Sequence, residues 1–510
     1  MPLLGPNFSA VRELAFAADE VALNSARPLV SVAGSLDWNQ LGPRQSRLDL
    51  TPLATASPAI QSAASTLKLT HARLQAIDTS TLVDRVAKPL GDATTQLGEL
   101  NQTLSTVADS AVLLPSMLGA SEARNYLILV QNSAEVRATG GLPGALALVR
   151  VDNGAIELVA QSTGSAIAAS DPPIEIDDEQ RSIYSTRLGK FIGDVNLTPD
   201  FPTAARTAKT MWESRYGGSI DGVVAVDPIV LAHLLEASGP LPLSSSALHP
   251  GLPTELTSEN VVPTLLSDVY HAFETNVEQD EYFGAASQQV FQALASGKVS
   301  GQELVASLGR SYEEGRLHLW SMRSSEQEIL EDIPLGGATS GPSAGGASFG
   351  VYFNDGTGAK MDYYMRRTVQ LTQLCRRDDE FIDYRVKITS KNEAPAGARE
   401  VLTTAVTGGG KFGTPPGFVQ TNVIVYGPAQ ALVDRVLQDG TPISFGSHVH
   451  SGRPVGVATT LLGPGETRVI EMSFTRVVQD DKPSLDVTPT IESVKEVALP
   501  VEFESCDSDQ

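Results

Sequence analysis

The chain has 510 residues, of which 41% are hydrophobic and 19% charged, and its formal net charge is −23. That length exceeds what one hydrophobic core organises, so roughly two to four domains are expected, and a mean hydropathy near zero marks a globular and not a disordered composition. An acidic surface repels phosphate backbones, and no Lys/Arg cluster interleaved with aromatics offsets it, which excludes nucleic acid as a partner.

Residues 1–117 are rich in Ala, Leu, Ser and Thr and read as a helical arm. A first helix is expected from about Phe8 to Asn24, with Phe8, Val11, Leu14, Ala18 and Val21 on one face. Val83, Val86, Leu90, Ala93, Leu97, Leu100, Leu104, Val107, Ala111 and Leu114 recur at steps alternating between three and four, a heptad seam. Ile60, Ala63, Leu67 and Leu74 carry a similar stripe, so an antiparallel helical hairpin is expected, packed within the chain or against a partner. No run of about 18 apolar residues occurs, so nothing in the sequence reads as a membrane span.

The texture changes at Asn125, and residues 118–334 read as an α/β domain. Tyr126–Val130 and Ala145–Val151 are strand-length apolar runs, and Asn153-Gly154 between the second and Ala155–Ala160 is a hairpin signal. Thr203 to Tyr216 reads as a helix, Asp221–Val226 as a buried strand, and Ile229 to Ala237 as a helix opened by Pro228. More helix is expected from about Ser258 to Leu308. Residues 335–348 form a Gly/Ser-rich linker or loop. Beyond it, 349–510 shows period-two strands at 369–374, 381–388, 418–426 and 467–474, which suggest an immunoglobulin-like sandwich. The two cysteines, Cys375 and Cys506, both fall there. They fit either two buried thiols or one disulfide formed in an oxidising compartment; the shared β-domain and the absence of CxxC favour the disulfide.

Several catalytic strings fail on context. Gly341-Pro-Ser343-Ala-Gly345 matches a nucleophile elbow but lies in the linker, Gly408–Lys411 lacks the Ser or Thr of a phosphate loop, and His448 and His450 have no third ligand nearby. The unusual segment is Gln131-Asn132-Ser-Ala-Glu135-Val-Arg137-Ala-Thr-Gly140-Gly141, directly after a buried strand. Polar side chains at a strand end, followed by glycines that admit close backbone approach, suit a ligand site in which Arg137 clamps a phosphate. The alternative is that Glu135 and Arg137 pair locally to hold a turn. Asp194 and Asp200, flanking Asn196, offer oxygen ligands for Mg2+, or Asp200 caps the helix that follows.

Tyr126–Gly141 closely resembles the signature of the bacterial domain-of-unknown-function 4012 family. Asn196–Pro202, Asp221–Pro228 and Lys360–Tyr364 resemble its later blocks. The resemblance implies a Gram-positive cell-envelope protein, extracytoplasmic and anchored by an N-terminal membrane helix lying upstream of Met1. Gly217–Asp227 with Leu231–Gly239 is also similar to a strand–helix unit of the LytR-CpsA-Psr enzymes, which move glycopolymers from polyprenyl pyrophosphate to peptidoglycan. That similarity implies an α/β core in which Arg137 is the counterpart of a pyrophosphate-binding arginine; with the reading of the loop, Glu135 and Arg137 become the catalytic candidates. Asn132, Arg137, Gly140, Gly141 and Asn196 would bind a polyprenyl-phosphate-linked or wall glycan, and Asp194 and Asp200 would hold magnesium. The leading expectation is therefore an envelope protein that binds, and as a glycopolymer phosphotransferase transfers, such a glycan. The competing expectation is a non-catalytic scaffold that binds other envelope proteins.

Overall fold

The computed structural model describes residues 4–35, 47–243, 249–295, 301–339 and 346–504. Two compact units divide the chain: Met1–Arg124 with Arg150–Glu157 and Leu294–Gln302, and Asn125–Val149 with Leu158–Ala293 and Glu303–Gln510. Among the described residues, no helix is long and apolar enough to cross a membrane.

The first unit is helical: α1 (Leu4–Val21), a π segment (Ala22–Ala26), α2 (Arg27–Ser35), α3 (Thr51–Gln75) and α4 (Asp84–Met117). α3 and α4 form the expected hairpin, with Ile60 and Ala64 packed on Ala108 and Ala111 at one end and Leu74 on Leu90 at the other. Only one row of the heptad seam turns inward, at Leu90, Leu97, Leu104 and Ala111. The other row is exposed at Leu100 (56%), Val107 (46%) and Leu114 (40%), because the covered face runs through Leu104, Ala108 and Ala111, three and four residues apart, and turns these positions outward. α1 also turns differently from its sequence pattern. Ala10, Leu14 and Ala17 pack on Leu74 and Leu90, whereas Phe8 and Val11 are exposed; the small alanines let the helices approach closely.

The α/β half of the chain begins with β1 (Arg124–Asn132), β2 (Leu142–Asp152) and β3 (Ala155–Thr163). The β2–β3 turn has positive φ at both Asn153 (47°) and Gly154 (76°), as the Asn-Gly pair requires. After α5 (Asp178–Tyr184) come α6 (Phe201–Tyr216), β4 (Gly222–Val226) and α7 (Pro228–Ser238). A small β5–β6 pair (Leu241–Pro242, Glu255–Leu256) leads to short helices α8 (Val261–Pro263) and α9 (Val269–Ala272). α10 (Asn276–Ala295), α11 (Gly301–Glu313), β7 (His318–Ser321) and α12 (Ser324–Glu331) complete this half. Its mixed sheet runs β3-β2-β1-β4-β7, with β1 parallel to β4 and β7 antiparallel to β4. Ala204, Ala205, Ala208, Met211 and Trp212 of α6 pack against Leu127, Leu129, Val223 and Ala225 of the sheet. That is the α/β arrangement expected.

The C-terminal half is strand-rich: β8 (Gly346–Asp355), β9 (Met365–Arg376), β10 (Ile382–Asn392), β11 (Val419–Tyr426), β12 (Leu432–Gln438), β13 (Thr441–Pro442), β14 (Gly446–His450), β15 (Arg453–Leu462), β16 (Thr467–Val477), β17 (Asp481–Val487) and β18 (Glu502–Phe503). Two sheets, β13-β12-β16-β10-β9-β18 and β14-β15-β11-β8-β17, share one core in which Phe349, Phe353, Leu371, Tyr384, Val425 and Phe474 are buried. The linker string Gly341–Gly345 lies outside the described residues, and so does Cys506, so the Cys375–Cys506 pairing is not described.

Candidate functional site: the loop after β1

β1 delivers the chain into a loop, residues 131–142, that is almost wholly buried. The turn is set by side-chain oxygens that satisfy backbone donors. Asn132 Oδ1 accepts the Ala134 N–H at 3.0 Å, and Gln131 Oε1 accepts the Gly141 N–H at 2.9 Å. Asn196 donates through Nδ2 to the Gly141 carbonyl at 2.6 Å and to Thr139 Oγ1 at 2.9 Å. The glycines are needed for packing: Gly140 has φ of 132°, and a Cβ on Gly141 would stand 2.3 Å from the Asn132 carbonyl. Close approach there is by the chain itself.

Arg137 is 6% exposed, and three of its donors are engaged by the protein. Nε reaches the Gly193 carbonyl at 3.3 Å, Nη1 the Val136 carbonyl at 3.0 Å, and Nη2 Asp194 Oδ1 at 3.2 Å. Asp355 lies 3.9 Å from Nη1. Asp194 also meets Arg187 at 2.6 Å. Glu135 pairs with Lys360 at 2.9 Å, and Lys360 lies over the Tyr270 ring, whose hydroxyl accepts from Asn132 at 2.8 Å. Burial pushes the Glu135 carboxyl up, but Lys360 outweighs it and holds the pKa below the ordinary value.

The loop also runs along the sandwich. The Asp355 N–H donates to the Val136 carbonyl at 2.9 Å and the Asp362 N–H to the Ala134 carbonyl at 3.1 Å. The Ala138 N–H donates to Asn354 Oδ1 at 3.0 Å, and Thr488 Oγ1 to the Ala138 carbonyl at 2.9 Å. Val136, fully buried, belongs to the sandwich core itself. A second tie follows the same logic. Asp227 caps α7 through the N–H groups of Ile229 and Val230 and pairs with buried Arg316 at 2.8 Å, while Arg316 donates to the Thr490 and Glu492 carbonyls, each at 2.9 Å.

The structure thus gathers Asn132, Glu135, Arg137, Gly140, Gly141, Asp194 and Asn196 in one place. Asp200 stands apart at the N-cap of α6, accepting from Thr203 N–H at 3.2 Å and from its hydroxyl at 2.7 Å. A magnesium ion fits this donor set poorly: Asp194 faces two guanidinium groups and Asp200 a helix terminus, and no cluster of three or more His, Cys, Asp or Glu forms a metal site among the described residues. His448 Nδ1 lies 3.2 Å from Ser182 Oγ, and His450 Nδ1 lies 2.9 Å from the Tyr426 hydroxyl. Sequence reasoning missed Lys360, Asp355, Asp362, Arg316 and Arg367 as partners. The available signal was the Lys360–Tyr364 block, which carries both the lysine that meets Glu135 and the aspartate that meets Arg367.

No curated protein matches the chain. Among solved structures, a Legionella pneumophila protein described as nutrient-binding shares 11% identity over 26% of this chain and 44% of its own length, with a TM-score of 0.17. Protein gbs0355 of Streptococcus agalactiae shares 12% identity over 44% of this chain and 75% of its own length, with a TM-score of 0.26. Likenesses this low carry no functional argument. Residues 121–270, which hold the loop, the Asn196–Pro202 segment and the β4–α7 turn, match the family described as "Protein of unknown function (DUF4012)".

Proposed function

We propose that the chain is an extracytoplasmic cell-envelope scaffold in which the 131–142 loop is a brace between the α/β half and the sandwich. The observation that carries this reading is the row of bonds between the loop and the sandwich, Asp355 N–H to Val136, Asp362 N–H to Ala134, Ala138 N–H to Asn354 and the Thr488 hydroxyl to Ala138, while Arg137 is buried with three donors spent on Gly193, Val136 and Asp194. A phosphate clamp needs guanidinium donors open to the ligand. The envelope location rests on the family resemblance and on the cysteines. The parallel register of β18 on β9 sets Phe503 opposite Gln373, and the Glu504 N–H donates to the Gln373 carbonyl at 2.9 Å. In the sequence Cys375 follows Gln373 by two residues and Cys506 follows Phe503 by three, a spacing that supports the disulfide. Kinship of the α/β half with LytR-CpsA-Psr enzymes and of the sandwich with immunoglobulin-like domains belongs to the same proposal.

A second reading, binding or transfer of a polyprenyl-phosphate-linked or wall glycan, draws on Arg187. This group is 62% exposed, pairs with Asp194 and, with Lys190, flanks the Phe191 ring. Calorimetric titration with farnesyl pyrophosphate and Mg2+ separates the two. The scaffold reading expects no saturable heat. Saturable binding that Arg187→Ala abolishes without loss of folded structure overturns it in favour of the glycan reading.

A further inference from the structure

The brace closes over an unequal set of charges. Asp355 ends β8, and its carboxylate accepts the N–H groups of Thr357 at 2.7 Å and Gly358 at 2.9 Å. Facing it from the 131–142 loop are Glu135 and Arg137; from the turn after β8 come Lys360 and Asp362; from β9 comes Arg367, paired with Asp362 at 2.5 Å. Asp194 joins through Arg137 from the turn before α6. Four carboxylates (Glu135, Asp194, Asp355, Asp362) therefore meet three enclosed cations (Arg137, Lys360, Arg367), and Arg187 reaches Asp194 only from a largely exposed position.

Glu135, Asp194 and Asp362 each have a cation within 3.2 Å, whereas the cation nearest Asp355 is Arg137 at 3.9 Å, already bonded elsewhere. A buried carboxylate without a close cation is costly and is favoured as the neutral acid. Burial first, and then the negative charge of Asp362, raise the Asp355 pKa to about 7, with Arg137 pulling the other way.

We propose that the joint is a pH-responsive latch in which Asp355 takes up a proton from solvent as the loop closes on the sandwich and releases it when the loop opens. Below neutrality the closed joint holds a neutral Asp355. Above it the extra buried negative charge opposes closure, and the bonds from Asp355 N–H to Val136 and from Asp362 N–H to Ala134 open more often.

Hydrogen exchange by mass spectrometry on the full chain, corrected for intrinsic exchange at each pH, tests this on peptides spanning 132–142 and 353–366. Linkage predicts that opening rises about tenfold per pH unit between about pH 5 and 6.5 and levels off above about 7. Asp355→Asn removes that slope. Equal corrected protection at pH 5.5 and 8, or an unchanged slope in Asp355→Asn, overturns the latch. Should Asp355→Asn not fold, Glu135→Gln removes one of the like charges facing Asp355 and shifts the levelling point to lower pH; an unmoved levelling point overturns the proposal equally.

Discussion

Replacing Arg137 with alanine distinguishes a brace from a ligand clamp. In the brace, the substitution leaves the Val136 and Gly193 carbonyls without their side-chain donor and takes from Asp194 one of its two guanidinium partners. It also removes the cation nearest Asp355 among the described residues. Breaking a buried ion pair from one side costs about 3–5 kcal/mol, because the remaining charge stays buried. Arg187→Ala is the matched control: it touches the same Asp194 from a side chain that is 62% exposed, and exposed pairs contribute at most about 1 kcal/mol. Urea unfolding of both variants, with the transition of each half fitted by its own m-value, supplies the comparison. A loss of less than about 1 kcal/mol in Arg137→Ala would refute the reasoning, since a clamp held open for a ligand contributes little to folding.

Other consequences follow from the same geometry. Gly141→Ala must displace the Asn132 backbone and is expected to destabilise as strongly as Arg137→Ala, read as the loss of soluble folded protein or a lowered unfolding midpoint. Asp200→Ala removes the α6 cap and costs about 1–2 kcal/mol, while leaving the response to Mg2+ unchanged in a thermal melt. Because Asp355 holds its proton more tightly folded than unfolded, its contribution to stability falls as pH rises from about 4 to about 7, by at most about 4 kcal/mol, and is constant above that. The difference between wild type and Asp355→Asn isolates it from the opposite slope of Glu135, whose lowered pKa adds stability as pH rises past 4. Alkylation under denaturing, non-reducing conditions is expected to modify neither Cys375 nor Cys506 in protein exported to an oxidising compartment, and both after reduction; labelling of both without reductant refutes the disulfide.

What was readable in the sequence was what is local. The Asn153-Gly154 turn, the Asp-Pro entry to α7 and the strand–helix alternation around β4 each depend on a few neighbouring residues, and each formed as expected. The rows of α4 were only half readable, because periodicity marks apolar rows without saying which one a neighbour covers. Likewise Phe8 and Val11 carried the hydrophobicity of a core face, yet the contact went to Ala10 and Ala17, which permit shorter helix separation. The site was legible as a place and not as a set of interactions. Asn132 to Gly141 stood out by composition, but Lys360, Asp355 and Thr488 meet it from more than 200 residues away in the chain. No local pattern encodes such pairings. Most of the polar side chains that suggested a ligand bond within the α/β half, as Gln131, Asn132, Arg137 and Asn196 do, and Glu135 is met by Lys360 of the second half.

The central claim is that this loop makes the α/β half and the sandwich one cooperative body. Unfolding followed by Trp212 and Trp320 fluorescence in a Trp38→Phe background reports the α/β half, and hydrogen exchange at Tyr384 to Ile388 reports the sandwich core. The brace predicts coincident transitions in the wild type and separated ones in Arg137→Ala. Separate midpoints in the wild type, or coincident ones that Arg137→Ala leaves in place, would contradict it.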